Sequence, residues 1–169
     1  MSQRPLFQFA EVEPPRRPSP QRRRRERHAD HLSGDLEIGK AAEHLVCYDI
    51  LLKGYNAFLS DQGLPYDIIV DLGSRILRVQ VKGTRRPKNP MPGHRLSDGY
   101  FFHIRNEFDM YALVALDIHA IAYFAKDALI LQTVSLRVPG IQYHHDSRAV
   151  RRFENADFER ALTSVLENS

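Results

Sequence analysis

The stretch "YDIIVDLGSRILRVQVKG", residues 66–83, decides the fold. Ile- and Val-rich runs flank Gly73-Ser74 on both sides, the pattern of two strands joined by a tight turn. A two-residue type II′ turn wants glycine at its first central position, and Gly73 supplies it. Centring the hairpin there sets Asp67 directly opposite Gln80. Opposed residues share a face, with Cβ atoms about 5 Å apart. Because side chains alternate along a strand, Lys82 points to that face too, and Arg78 flanks Gln80 on its other side. The reverse face carries Ile68, Val70, Leu77, Val79 and Val81, all apolar and fit for burial.

An acid, an amide and a cation therefore converge at the open end of a hairpin whose back is core. Two readings of this cluster stand on the residues alone. One is an ordinary polar face closed by a cross-strand hydrogen bond. The other is a divalent-cation site, since carboxylate and amide supply two hard oxygen ligands. Mg²⁺ commonly takes few protein ligands and completes its shell with water and substrate phosphate. A lysine two residues on would orient the attacking water or offset phosphate charge.

Outward from the hairpin, Ser33-Gly34-Asp35 reads as a helix start with Asp35 as the cap, and Gly54 ends the helix after about Lys53. Ile38, Ala41, Leu45, Tyr48 and Leu52 make one apolar stripe on it; Leu36, Gly39, Glu43, Val46 and Ile50 make a second. Glu43 interrupts the second stripe, so it is either at the edge of the core or held inward for a purpose. Further strands are predicted over 55–60, 99–105, 111–117, 119–125 and 130–138. An amphipathic helix closes the chain, with Asn155 as its cap. The run "TRRPKNPMPGHRLSD", residues 84–98, reads as a long mobile basic loop.

At 169 residues the chain suits one well-packed domain. It lacks a run of about 18 apolar residues, so no membrane span is expected, and no apolar stretch of a secretory signal opens it. The single cysteine, Cys47, can form no intrachain disulfide, which suits a reducing cytoplasm. The net charge of +3 is unevenly placed: residues 1–31 hold eight arginines against four acids, and the rest is nearly balanced. Residues 1–32 are accordingly expected to be a disordered Arg/Pro-rich tail, with residues 33–169 as the single domain. Arg22, Arg23, Arg24, Arg25 and Arg27 in the tail, and Arg85, Arg86 and Lys88 in the loop, are the candidate phosphate-binding residues. The bland alternative for the tail is a solvated or targeting segment. His144-His145-Asp146 is a poor metal site, because adjacent strand residues point to opposite faces.

Glu43 on a helix, Asp67 on the next strand and Gln80-Val81-Lys82 on the strand after it resemble the PD-(D/E)XK nuclease superfamily. The glutamine variant followed by Gly83 is most similar to the branch related to group I intron homing endonucleases, and archaeal Holliday-junction resolvases share the core. The resemblance covers roughly residues 35–125, with two departures: Tyr66 separates Pro65 from Asp67, and Gln80 replaces an acid. It implies an α/β fold with a restriction-endonuclease-like αβββαβ core, a central mixed sheet flanked by helices. It also implies a Mg²⁺-dependent DNA endonuclease, with Mn²⁺ able to substitute. Glu43, Asp67, Gln80 and Lys82 would be catalytic, and Asp67, Gln80 and the Val81 carbonyl would hold the metal. DNA is then the partner, and one site per chain favours a homodimer or higher assembly for cutting both strands. The alternative is a catalytically inactive nucleic-acid-binding or assembly protein that retains the nuclease fold.

Overall fold

The computed structural model describes residues 34–61, 63–88, 99–104, 108–129, 132–140 and 151–168. The decisive hairpin comprises β2 (Ile68–Asp71) and β3 (Ile76–Thr84). Gly73 takes φ +79°, and the Leu72 amide donates to the Arg75 carbonyl at 3.0 Å. The turn thus closes on the two expected central residues, and Ile68 pairs with Val79 and Val70 with Leu77 as the sequence demands.

β1 (Asn56–Leu59) adds to β2 antiparallel, β5 (Met110–Ala115) adds to β3 parallel, and β6 (Ala120–Ala125) adds to β5 antiparallel. The result is a mixed five-stranded sheet in the order β1-β2-β3-β5-β6, while β4 (Gly99–His103) and β7 (Thr133–Arg137) form a separate antiparallel pair. The fold is mixed α/β, as expected. Where the αβββαβ pattern has a helix between its third and fourth strands, the described residues here carry β4 instead.

One face of the large sheet is covered by α1 (Asp35–Leu52) and α2 (Phe158–Glu167), whose apolar residues share a core with Ile68, Val79, Val81 and Ala112. The other face of β5 and β6 packs on the β4–β7 pair through a second core that includes Tyr100, Phe102, Tyr111 and Leu113. Every residue of β5 is consequently buried, as a strand covered on both faces must be. No helix among the described residues is long and apolar enough to cross a membrane.

Three local expectations change. The buried line of α1 is Ala42, Val46 and Ile50: the last two belong to the second stripe and Ala42 to neither, while Leu36, Tyr48 and Leu52 are exposed. Its cause lies on β3: a Cβ at Gly83 would sit 2.7 Å from the Ala42 Cβ and 3.1 Å from the Ile38 carbonyl oxygen. Only a residue without a side chain lets the helix settle this close. Asp35 is the first helical residue rather than the cap; Gly34 caps, and its amide donates to the Glu37 carboxylate at 3.2 Å. Asp157, not Asn155, caps α2 by accepting from the Arg160 amide at 2.8 Å, because Asn155 is taken up in a 3₁₀ turn over Phe153–Asn155.

β3 and β5 are clamped at their start by one ion pair. The Asp109 carboxylate accepts the Arg78 backbone amide at 2.8 Å and two guanidinium N–H groups at 3.0 and 3.1 Å. Burial pushes the Asp109 pKa up, but the hydrogen bonds and charge of Arg78 outweigh it and hold the group below its ordinary value.

Gly83→Ala should overpack the α1–β3 contact and cost about 1–3 kcal/mol. A thermal melt checks this, at roughly 2–4 °C per kcal/mol for a chain of this size. The depressed pKa of Asp109 contributes stability that is present above the unfolded carboxylate pKa and is lost as pH falls through the folded value. Asp109→Asn should therefore melt below the parent at pH 7. The gap should close as melts are taken below about pH 4.

Candidate active site

β3 outruns β2, and the site forms at that step. The Asp67 amide donates to the Val79 carbonyl at 3.0 Å, the last backbone bond of the β2–β3 ladder. Upstream of it, the Ser60 amide donates to the Asp67 carbonyl at 2.9 Å and the Ser60 hydroxyl donates to the Tyr66 carbonyl at 2.5 Å, which pins the backbone around Asp67. The Asp67 side chain then continues what the backbone leaves off: Oδ2 accepts the Val81 amide at 2.7 Å.

That same oxygen accepts Nε2 of Gln80, so the cross-strand pair meets as the turn requires. Gln80 is 9 % exposed, the one buried non-aromatic polar residue among those described. Asp67 Oδ1 receives no hydrogen bond among the described residues. The N–H and C=O of a strand residue point to the same edge, so the Val81 carbonyl also faces the gap beyond the end of β2. Gln80 Nε2 approaches it at 3.4 Å. Burial pushes the Asp67 pKa above its ordinary value, against the opposing pull of the Val81 amide, the Lys82 charge and the Gln80 amide. An ion with positive charge placed here would relieve that cost.

A cleft of about 590 Å³ opens over this step, lined by Asp67, Gln80, Val81 and Lys82 from the hairpin and by Glu43 from α1. Glu43 reaches it because the contact of Ala42 with Gly83 draws its helix to the end of β3. The glycine one turn earlier leaves room, since a Cβ at Gly39 would still stand 3.9 Å from Glu43 Oε1. Of the basic loop, Arg85, Arg86 and Lys88 line the same cleft. Arg22 to Arg25 and Arg27, like His144 to Asp146, lie outside the described residues.

Asp35 is an acid of this cleft that the sequence reading assigned elsewhere. Its signal was present: Asp35, Gly39 and Glu43 recur every fourth residue and so share one line along the helix. A second cleft, of about 680 Å³, meets the first at Asp67, Gln80, Lys82 and Gly83 and is walled by Leu64, Pro65, Phe101, Phe102, His103 and Phe108.

No three His, Cys, Asp or Glu side chains among the described residues gather as a metal-ligand cluster. The donors the first cleft does offer are carboxylates, an amide and a backbone carbonyl, a hard-oxygen set that suits Mg²⁺ and not a softer metal.

No protein-family model matches the chain, and no curated protein does. Its fold does have a solved counterpart in a bacterial homing endonuclease, I-Ssp6803I. The two superpose with a TM-score of 0.59 at 17% identity, over 82% of this chain and the whole of the other.

Proposed function

We propose that the chain is a metal-dependent DNA endonuclease of the PD-(D/E)XK type. The observation that carries this reading is one cleft that collects Asp67, Gln80, Lys82 and Glu43 beneath Arg85, Arg86 and Lys88. A solved structure that shares the fold is a homing endonuclease, which favours DNA over other phosphodiesters as substrate.

In this reading Asp67, Gln80 and the Val81 carbonyl would hold Mg²⁺, with Mn²⁺ able to substitute. Bound there, the ion would supply a more acidic water and offset charge on the phosphodiester. Lys82, which makes no hydrogen bond among the described residues, orients the attacking water or neutralises the phosphate. Glu43 accepts a hydrogen bond from that water on the helix side. Arg85, Arg86 and Lys88 grip the flanking phosphates, contacts that fix position without reading sequence. Cutting both strands with one site per chain favours a dimer or higher assembly.

A second reading has its own observation in favour. Gln80 already satisfies Asp67 with its amide nitrogen, as a purely structural pair would. The same fold and basic surface would then serve a nucleic-acid-binding or assembly protein without catalysis.

Supercoiled plasmid, incubated with and without Mg²⁺, tests the first reading. Nicking or linearisation should require the metal, and Lys82→Ala should slow it by about 10²-fold or more. Cleavage that ignores both metal and Lys82 would remove these residues from the chemistry.

Gln80→Glu separates the two readings. If the pair holds metal, the added carboxylate should tighten Mg²⁺ or Mn²⁺ binding in a calorimetric titration. Two carboxylates that close repel in the metal-free protein, so its melting temperature should fall at neutral pH and recover with metal. Lower stability with no metal heat in either protein supports the structural pair.

A further inference from the structure

The second cleft has a feature that the fold does not need. Tyr100 and Phe102 are 1 % and 3 % exposed and belong to the core between the sheets. Phe101 lies between them on β4, so strand alternation turns it the other way. It is half-buried and takes no part in that core, yet it lines the 680 Å³ cleft with Leu64, Pro65 and His103, as do the core residues Phe102 and Phe108. An aromatic ring that stabilises no core is available to a ligand.

The floor tells which ligand. Asp67, Gln80, Lys82 and Gly83 line both clefts, so whatever occupies the second lies beside whatever occupies the first. The first sets Lys82, Arg85, Arg86 and Lys88 against Asp35, Glu43 and Asp67, and its cations are the groups that suit a phosphate. The group that a nucleic acid presents next to its phosphate is a nucleoside, and aromatic walls take the face of a base by stacking. The volume lies within the usual range for a site that encloses a small molecule. In an intact duplex both faces of a base are covered by its neighbours, so only an unpaired or extruded base can lie against Phe101.

We propose that the second cleft receives an unpaired base of the DNA, beside the phosphate held in the first, and that Phe101 is the surface on which it stacks. This rests on the nuclease reading for the nature of the substrate and adds its class: DNA interrupted by an unpaired nucleotide next to the bond that is cut.

Binding can be measured without cleavage. The full-length chain, in EDTA, is titrated into fluorescein-labelled duplexes of one sequence, either fully paired or carrying one bulged nucleotide, and anisotropy is read. The bulged duplex should bind roughly five- to a hundredfold more tightly, the range that stacking of one base supplies. Phe101→Ala should bring the two affinities to within about twofold, with the paired duplex bound as before. Phe101→Leu keeps the apolar bulk and loses the ring; it should melt like the parent and still lose most of the preference. Equal affinity of the parent chain for both duplexes would overturn the proposal and leave the cleft to another occupant. So would a preference that survives both substitutions. The plasmid assay fails separately: a chain that prefers bulged DNA through Phe101 but cuts nothing keeps this site and loses the nuclease reading.

Discussion

Everything at the site depends on a carboxylate standing in for a backbone. β2 stops at Ile68 while β3 continues to Thr84, and the first β3 amide left without a strand partner, that of Val81, is taken by Asp67 Oδ2 at 2.7 Å. A buried amide without a partner costs about 1–3 kcal/mol, so the acid cannot simply swing into solvent. This bond fixes one carboxylate oxygen, and with it Gln80, at the point where the sheet opens. The gap that follows is neither a loop nor a groove between domains. It is the missing end of a strand, walled by α1 on one side and by β4 on the other.

Charge in that gap is mixed by construction. Asp35, Glu43 and Asp67 share the first cleft with Lys82, Arg85, Arg86 and Lys88, in a domain whose overall charge is nearly balanced. Opposite charges that close weaken one another's field at a distance. The cleft therefore acts at short range, where individual contacts count. Asp35 and Glu43 lie along the helix and Asp67 beside the hairpin, while the cations follow on β3 and its continuation.

Much of this was legible in the sequence, and the reasons are local. A glycine at the first position of a two-residue turn fixes the register, and the two-residue period of a strand then dictates which side chains meet. That is why Asp67, Gln80 and Lys82 could be assigned to one face from the position of Gly73-Ser74. Glu43 stood out as an acid amid apolar neighbours. What stayed hidden depends on partners distant in sequence. Ala42 replaces its neighbours in the core because Gly83 admits it, and periodicity on the helix alone cannot register a missing side chain on a strand. Asp35 was read as a cap because capping is the commoner use of such a residue. Phe101 looked like any other aromatic of "GYFFHIR"; only the position of the β4–β7 pair separates it from Tyr100 and Phe102. The cap of α2 moved by two residues because the 3₁₀ turn before it consumed Asn155.

The parallel pairing of β3 with β5 has a consequence for how the site assembles. The hairpin of β2 and β3 closes over two turn residues, so Asp67 and Gln80 meet at almost no loop entropy. The β3–β5 pairing, from Val79 with Met110 to Thr84 with Ala115, must first close the whole segment that contains β4, and such non-local contacts are slow to form. The Asp67–Gln80 pair is thus a product of local folding, and the clefts on either side of it are products of topology. Sequence drift in the hairpin would erase the chemistry and leave the shape, whereas drift in β4 or α1 would keep the chemistry and change what it can be applied to. The two halves of the site can evolve on separate schedules.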